Sequence, residues 1–556
     1  MVERWAKVRL WVALGCPPTA LAATIMVPSG LESIEEAIAV AAPGDTVLVA
    51  PGTYVPGDTA GISFQGKAIT LLSEAGPSVT IIDAMGGGRG IRFEDGEDAE
   101  SMLMGFTLTG GRSERGGGIY CRRSSPTITN CSIQGNTADG QDHRGGGFYL
   151  SEASPTIENC TIEGNTAVGV DGHGGGVYAQ GSSAIFRNCT ITANVARSEN
   201  AHGGGLFFTQ SSPALEDCTI EENSAYSSGG VFFGDSFATI ARTSISNNVA
   251  DKGGGVRATT GGALVFTDCV ISGNRAEVRR GGGFNCGGGT GLLLTNCTIS
   301  DNSSALSGGG FYARDLSATL IDCTIDGNAT SDGGGGVFLI TATASIERCS
   351  IADNVAMAGG GGLRCIEGSD LSIRNTRIRG NRSGGRGGGL ICDGANSIGL
   401  MNCLVSANIS HMDGGGAYAL GTDSLLISNC TFTENSAAGA GGGAFFDSTD
   451  VSIDNSILWD DAPQELISQS GPLVVRYSNV EGAWTGVGNI DQAPRLAAKR
   501  FFYPRRSSPC IDAGDPELSD AVHDQFPWWP AGFQDGERAD IGAYGGPGNA
   551  GWLPLF

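Results

Sequence analysis

Residues 145–168 read GGGFYLSEASPTIENCTIEGNTAV, and residues 174–197 read GGGVYAQGSSAIFRNCTITANVAR. The two stretches share a triple glycine, an apolar–aromatic–apolar run, Asn-Cys-Thr-Ile and a later Asn, all at the same spacing. The pattern recurs about every 25 to 29 residues, a period typical of solenoid repeats. The glycine elements end at Gly118, Gly147, Gly176, Gly205, Gly230, Gly255, Gly283, Gly310, Gly336, Gly362, Gly389, Gly416 and Gly443.

The residues after each glycine element alternate with the period of a β-strand. The first and third positions are mostly apolar or small, as in Phe148 and Leu150, so they face one side of a strand. Such short strands cannot form separate hairpins, but they can stack in register about 4.8 Å apart. The sequence therefore predicts an all-β right-handed parallel β-helix solenoid of about fifteen coils.

Asparagine and cysteine each form a column in this repeat. Asparagine tolerates the left-handed backbone of a tight corner, and stacked amides hydrogen-bond from coil to coil. We therefore favour a structural ladder over a row of ligand-binding amides. Its members are Asn136, Asn165, Asn194, Asn223, Asn248, Asn274, Asn302, Asn328, Asn354, Asn381, Asn408 and Asn435. For the cysteines we expect buried free thiols, with disulfides as the alternative. This column holds Cys131, Cys160, Cys189, Cys218, Cys269, Cys297, Cys323, Cys349, Cys403 and Cys430.

The two ends of the chain depart from the repeat. Residues 1–22 have the basic start, apolar stretch and small-residue cleavage site of a signal peptide, with lipoprotein anchoring at Cys16 as a lesser alternative. Residues 23–110 are expected to hold a capping helix after Ser33 and the first coils. Residues 111–459 form the glycine-rich repeats. Residues 460–556 are expected to be a C-terminal cap or appended segment of unassigned fold.

Charge limits the choice of partner. The chain has 34 Lys and Arg against 58 Asp and Glu, a net charge of −24. A surface this acidic argues against nucleic acid, and against polyanionic sugar unless a cation bridges the contact. No later stretch has the length of a membrane span. We expect a monomer that is secreted or held at the cell surface.

Three motifs carry a family resemblance. Residues 33–38, 42–47 and 51–54 resemble the N-terminal signature of pectin-lyase-like β-helix proteins. The Gly-Gly-Gly-x-Tyr and Ile-x-Gly-Asn repeats resemble bacterial right-handed β-helix repeat proteins and chlamydial polymorphic outer-membrane proteins, without the membrane barrel of the latter. Residues 508–515 and 540–544 are similar to the end segment of many bacterial surface proteins. The resemblance implies the fold but not the activity, because this scaffold hosts lyases, hydrolases, epimerases and adhesins.

The second position after the glycines forms an aromatic column. Because its neighbours point inward, we expect these rings to face solvent, where flat aromatic faces suit sugar binding. The alternative is a self-stacking ladder that stabilises the sheet. The candidate carbohydrate-binding residues are Tyr120, Tyr149, Tyr178, Phe207, Phe232, Tyr312, Phe338 and Tyr418, and the same position is occupied in other coils by Arg257, Asn285, Arg364, Ile391 and Phe445.

Two groups of residues could bind metal ions. His173 and His202 occupy the same place in consecutive coils, and with Asp171 they are candidate metal ligands; the alternative is polar loop residues. No cofactor is called for. The acidic segment from Asp535 to Asp540 leaves Ca²⁺ open without the full loop pattern of a calcium site.

Three functions follow from these patterns. The first is a secreted or cell-surface protein that binds carbohydrate or mediates adhesion. The second is a polysaccharide-active enzyme, a lyase, hydrolase or epimerase, working along the outer face. A purely structural role is the third. The sequence identifies no catalytic residues; Asp235 and Arg257 are one pair that adjacent coils could bring together.

Overall fold

The computed structural model describes residues 22–29, 31–140, 143–497, 502–518, 536 and 538–545. Residues 1–21 of the predicted signal peptide, Cys16 among them, lie outside the described residues, as do Asp535 and Glu537. Within the described residues the chain forms 64 strands and one helix, Ile34–Val40. The predicted all-β parallel β-helix is confirmed.

Most coils contribute one strand to each of four parallel sheets, which we number in the order in which a coil forms them after its glycine element. Sheet 1 follows the glycines and contains Ile62–Ser63, Ile91–Phe93, Ile119–Arg122, Phe148–Ser151, Val177–Gln180, Leu206–Thr209, Val231–Gly234, Val256–Thr259, Phe284–Gly287, Phe311–Arg314, Val337–Ile340, Leu363–Ile366, Leu390–Asp393, Ala417–Leu420, Ala444–Asp447 and Leu466–Ser468. Sheet 2 contains Thr24–Val27, Thr46–Val49, Thr70–Ser73, Met102–Met104, Thr127–Thr129, Thr156–Glu158, Ile185–Arg187, Ala214–Glu216, Phe237–Ala241, Ala263–Thr267, Gly291–Thr295, Ser317–Ile321, Thr343–Glu347, Asp370–Arg374, Ser397–Met401, Ser424–Ser428, Val451–Asp454 and Leu473–Arg476.

The other two sheets complete the coil. Sheet 3 contains Gly52–Tyr54, Thr80–Asp83, Thr107–Thr109, Ser132–Gln134, Thr161–Glu163, Thr190–Thr192, Thr219–Glu221, Ser244–Ser246, Val270–Ser272, Thr298–Ser300, Thr324–Asp326, Ser350–Ala352, Arg377–Arg379, Leu404–Ser406, Thr431–Thr433, Ile457–Trp459 and Asn479–Val480. Sheet 4 contains Arg112–Ser113, Thr137–Ala138, Thr166–Val168, Val195–Arg197, Ser224–Ser227, Val249–Lys252, Arg275–Ala276, Ser303–Ser304, Ala329–Thr330, Val355–Ala356, Arg382–Ser383, Ile409–Ser410 and Ser436–Ala437.

One hydrophobic core fills the bore from Val27 to Val480. In the coil that begins at Val177, the inward residues are Val177, Ala179, Phe186 and Ile191, all fully buried. Each strand pairs with the same strand of the next coil, so identical positions stack along the rod, as Tyr149, Tyr178 and Phe207 do. Burying apolar area in every coil is the main stabilising contribution to such a solenoid.

The triple glycine is required by close approach between coils. Gly174 has a φ of +66°, a conformation that side chains rarely adopt. A Cβ on Gly175 would lie 2.6 Å from the carbonyl oxygen of Gly204 in the next coil, closer than any real Cβ contact. The column of glycines therefore marks a corner where backbones of successive coils pack directly on each other.

The asparagine column forms the predicted ladder. Nδ2 of Asn165 donates to Oδ1 of Asn194, and Nδ2 of Asn194 donates to Oδ1 of Asn223, each at 3.0 Å. One detail is corrected: the left-handed residue is the one before the ladder asparagine, such as Gly164 with a φ of 61°. The side chain of each ladder asparagine points inward and hydrogen-bonds to neighbouring backbone. The residue before it therefore adopts the left-handed conformation that makes the turn. All 15 described cysteines are free and buried.

Both ends pack onto the coils. The hydroxyl of Ser33 accepts from the Glu36 N–H at 3.1 Å, and the helix buries Ile34 and Ile38 in the core. The coils continue past Trp459 to Val480. The C-terminal segment then returns across the outer face of sheet 3, where the Ala543 N–H donates to the Thr431 hydroxyl. Among the described residues, no helix is long and apolar enough to span a membrane.

Candidate functional site

The aromatic column forms a continuous stack on the outer side of sheet 1. Ring centroids are 5.3 Å apart for Tyr120 and Tyr149, 5.5 Å for Tyr149 and Tyr178, and 4.9 Å for Phe207 and Phe232. The planes of each of these pairs lie within 10° of parallel. Offset stacking at this distance is favourable beyond the burial of area. The alternation of inward and outward positions in the sequence therefore predicted correctly that these rings lie outside the bore.

The expectation that these rings face solvent is wrong. They are 3 to 9% exposed, because each ring covers its neighbour and a second layer covers their remaining edges. The residues so corrected are Tyr120, Tyr149, Tyr178, Phe207, Phe232, Tyr312, Phe338 and Tyr418. A sugar cannot reach these ring faces unless the covering residues move.

The second layer consists of cationic and imidazole side chains from the corner before the glycines. The Arg89 guanidinium carbon lies 4.5 Å from the centroid of the Tyr120 ring, and that of Arg144 lies 5.1 Å from the Tyr178 ring. His173 stacks on Phe207 at 4.8 Å. Guanidinium groups are attracted to the negative faces of aromatic rings. The outermost surface of this stripe is therefore basic rather than aromatic.

The two histidines lie together as predicted, but in neutral form. Burial lowers the pKa of His173 to about 4 and that of His202 to about 3, with nearby cations adding to both effects. The Nδ1 atom of His173 accepts the His202 backbone N–H at 3.2 Å, and Asp171 is exposed. No group of three His, Cys, Asp or Glu side chains in the described part of the chain is arranged to hold a metal ion. A metal site on His173, His202 and Asp171 stays a prediction.

The stack breaks at two consecutive coils, and this break is the candidate site. Arg257 pairs in register with Phe232 on one side and with Asn285 on the other, and Asn285 pairs with Tyr312, where stacking resumes. The second stack joins Tyr312 to Phe338 at 5.5 Å. A polar gap thus separates two aromatic stacks.

Arg257 is held in this gap by polar neighbours. Its Nη1 atom donates to the Ser227 hydroxyl and lies 3.5 Å from Nδ1 of His202. Its Nε atom is buried without a hydrogen-bond partner. Burial lowers the pKa of Arg257 to about 10. The side chain remains cationic at neutral pH, with one donor unused.

Three further cations lie beside the polar gap, Lys252 and Arg279 close to Arg257 and Arg280 on Tyr312 at the edge of the gap. Lys252 lies 5.3 Å from the Tyr226 ring centroid, and burial with the charges of Arg257 and Arg279 lowers its pKa. Arg280 donates to the Tyr312 hydroxyl at 3.1 Å. Asp251 is the acidic neighbour whose charge acts on Lys252. We call Lys252, Arg257, Arg279 and Arg280 the basic cluster.

Within the described residues, no member of the basic cluster forms an ion pair. Other arginines on this face do have acidic partners. Further along the same column, Arg364 ends the second stack, and its Nη1 atom lies 3.7 Å from an Asp332 carboxylate oxygen. The corner cation Arg386 likewise faces Asp413 at 3.5 Å. Asp251 acts on one member of the cluster without forming an ion pair in the described part of the chain, so like charges in the cluster repel and the basic cluster is a ready site for an external anion.

The sequence contained a partial signal for this site, because Arg257 and Asn285 are two of the four non-aromatic residues in the aromatic column, with Arg364 and Ile391. The sequence alone could not place Lys252, Arg279 and Arg280, because they come from the irregular corner before the glycines. Asp235, which adjacent coils could have brought near Arg257, is an exposed turn residue whose backbone N–H donates to the Thr260 carbonyl. Its carboxylate forms no ion pair with Arg257 among the described contacts.

Comparison with known proteins gives the family. A family model described as "Right handed beta helix region" matches residues 78–240, 229–386 and 310–493. No curated protein matches the chain significantly. Similar solved structures include pectate lyase Pel9A, with 12% identity, coverage of 93% of this chain and 91% of that one, and a TM-score of 0.24. A second is the mannuronan C-5 epimerase AlgE4 A-module of Azotobacter vinelandii, with 15% identity, 79% and 91% coverage and a TM-score of 0.29.

A third is a mannuronic acid specific polysaccharide family 6 lyase from human gut microbiota, with 11% identity, 81% and 91% coverage and a TM-score of 0.31. At these identities and TM-scores, none of the three bears on the activity of this chain. The family matches together span residues 78 to 493. The chain therefore belongs to the right-handed β-helix family.

Proposed function

We propose that this chain is an exported, non-catalytic protein that binds acidic carbohydrate at the basic cluster. The observation that carries the proposal is a group of four cations without a carboxylate partner, on a chain whose net charge is −24. Such a group costs folding stability through mutual repulsion unless a ligand supplies the counter-charge. The ligand group is a carboxylate or sulfate, which guanidinium and ammonium groups bind through charge-assisted hydrogen bonds.

The ligand's charge must be sparse for it to bind here. The basic cluster is local, and the rest of the chain is acidic, so a dense polyanion such as nucleic acid would be repelled beyond the cluster. An acidic glycan carries its charges one sugar apart. The half-buried Tyr226 and the exposed Val278, which flank the basic cluster, offer apolar surface for the sugar ring between charges.

Binding is favoured over catalysis by the state of the nearby imidazole. A β-eliminating lyase needs a base beside a cation that neutralises the uronate, and His202 beside Arg257 has that arrangement. A general base works best with a pKa near the working pH. Because the pKa of His202 is lowered to about 3, its imidazole is a weak proton acceptor. This pair therefore suits holding an anion better than removing a proton.

The test is calorimetric titration of the intact protein with oligogalacturonate, a κ-carrageenan oligosaccharide that carries one sulfate per disaccharide, and neutral cello-oligosaccharide. We expect at least one acidic glycan to bind and the neutral one not to bind at the basic cluster. Arg279→Gln and Arg257→Gln should each weaken binding about tenfold, the value of one charge-assisted hydrogen bond. Arg279 is exposed, so its replacement should leave the melting temperature unchanged.

Arg364→Gln is the matched control, because Arg364 occupies the same column beside Phe338 but faces Asp332. Its replacement should leave the affinity unaltered. Equal loss in this control, or equal binding of acidic and neutral glycans, would remove the basic cluster as the site. Release of unsaturated uronates or new reducing ends in the same mixtures would instead establish the enzyme.

A further inference from the structure

A cavity lies near the C-terminal end of the rod, far along the chain from the basic cluster. It has a volume of about 320 Å³ and opens between the outer face of sheet 3 and a returning wall formed by residues 493–497, 502 and 505. Its lining includes Glu434, Trp459, Asp460, Arg495, Phe502 and Arg505. Cavities of this size are typical of small-molecule sites.

The cavity is built where the chain departs from its repeat. Trp459 pairs in register with Thr433, which pairs with Ser406, so a large aromatic ring replaces small hydroxyl residues on the outer face of sheet 3. Such a change is not needed to complete the coil, because the outward position does not fill the bore. The ring packs against the apolar cluster of Ile457, Cys510 and Ile541 and also forms one side of the cavity.

The opposite wall is held by backbone hydrogen bonds. The Ala497 N–H donates to the Tyr503 carbonyl at 2.8 Å, and the Arg505 N–H donates to the Arg495 carbonyl at 3.1 Å. Leu496 packs with Trp459 in one apolar cluster and with Phe502 in another. The described residues of this wall are therefore held in place by the chain itself, which lowers the entropic cost of binding.

The charges around the cavity balance but do not pair. Glu434 and Asp460 stand at the left-handed corner after the sheet 3 strand, with φ of 57° and 66°. Arg495 and Arg505 lie on neighbouring stretches of the returning wall, and Arg495 donates to the Ser507 carbonyl at 3.0 Å. Among the described contacts, no ion pair joins these acids to these arginines. Two carboxylate acceptors and two guanidinium donors therefore remain on the described lining, and their charges sum to zero.

We infer that this cavity binds one neutral pyranose sugar. An indole ring offers a flat apolar face for the C–H face of the sugar. Vicinal hydroxyls both donate and accept, so they can satisfy carboxylates and guanidiniums at once. The balanced charge disfavours an acidic sugar here. The site is therefore separate from the basic cluster in place and in ligand chemistry, and neither depends on the other.

The experiment titrates the full protein with methyl β-D-glucopyranoside, methyl α-D-mannopyranoside and methyl β-D-galactopyranoside by calorimetry. We expect one of them to bind saturably, and Trp459→Ala to abolish the binding. Glu434→Gln and Arg505→Gln should each weaken it about tenfold. Because these two side chains are at least partly exposed, they test the site even if Trp459→Ala unfolds the chain.

Controls separate this site from the first. Arg279→Gln removes a cation of the basic cluster and should leave pyranoside binding unchanged, while Trp459→Ala should leave acidic-glycan binding unchanged. The inference is overturned if none of the three pyranosides binds up to its solubility limit. It is equally overturned if Glu434→Gln and Arg505→Gln bind as the parent does, or if glycine, as a small zwitterion, displaces the sugar.

Discussion

At the end of the asparagine ladder stands a carboxyl group in place of an amide. Oδ1 of Asp461 accepts from both the backbone N–H of Asn435 at 2.6 Å and its Nδ2 at 2.9 Å. Its other oxygen and Oε2 of Glu465 are buried without a partner. Burial raises the pKa of Asp461 from 3.8 to about 7, and that of Glu465 to about 10. The sequence predicted the ladder from its repeat, but not this ending, because Asp461 lies outside the Asn pattern.

The ladder's last step should make stability depend on pH. A folded-state pKa above the unfolded value means that folding favours the protonated acid, so stability is retained below about pH 4 and lost as pH rises through about 7. Asp461→Asn keeps the acceptor, adds a donor toward Glu465 and removes the titration of residue 461, while that of Glu465 remains in both proteins. We expect it to raise the free energy of unfolding at pH 8 by at least about 1 kcal/mol. Urea unfolding of both proteins at pH 4 and pH 8 is the measurement; equal changes with pH would refute it.

A single ring in the aromatic stack should behave as a core residue. Tyr149 is stacked on both sides and 4% exposed, so Tyr149→Ala should cost about 3 kcal/mol, comparable to a truncation inside the bore. Tyr149→Phe should cost far less, because Phe207 and Phe232 occupy the same position in the same stack. Melting curves of both variants decide the matter. A Tyr149→Ala protein as stable as its parent would mean that the ring is exposed after all.

At the scale of the element, the glycine corner explains which features sequence could predict. Register, strand order and the two ladders follow from repetition, because every coil imposes the same spacing on the next. The layer of side chains that covers the aromatic stack cannot be predicted from the repeat, because it consists of corner residues such as Arg89 and His173, whose type varies from coil to coil. The return of residues 541–543 across sheet 3 was also unpredictable, because it packs Ile541 into one apolar cluster with Ile457, which is far away in sequence.

Two glycine substitutions test the corner against an open position. Gly175→Ala would place a Cβ 2.6 Å from the Gly204 carbonyl oxygen and from Val195 backbone atoms, so coils must separate. We expect a loss of about 3 kcal/mol or failure to fold. Gly399 lies in a sheet 2 strand and has nothing within 4 Å of its Cβ position. Gly399→Ala should be neutral or stabilise by up to about 1 kcal/mol. A Gly175→Ala protein as stable as the Gly399→Ala protein would show that the glycine corner tolerates a side chain.

At the scale of the whole molecule, the acidic charge and the basic cluster act over different distances. A bound acidic group lies within a few ångströms of the cluster's cations, whereas the chain's net charge of −24 is spread along the rod. The Debye length is about 30 Å at 0.01 M salt, 10 Å at 0.1 M and 3 Å at 1 M. Moderate salt therefore screens the repulsion from the rod before it screens the attraction at the site.

This ordering predicts a maximum in acidic-glycan affinity with salt. From about 0.01 to 0.1 M NaCl the affinity for the glycan that binds should rise, because long-range repulsion is removed; toward about 1 M it should fall, because the close attraction is then screened. A cationic binding surface without an acidic surround would lose affinity throughout. Calorimetric titration across this range gives the curve. Arg279→Gln should flatten the fall, and methyl pyranoside binding near Trp459 should not vary, because its ligand is neutral. A steady decline from the lowest salt would show that the rod's acidic charge does not reach the site.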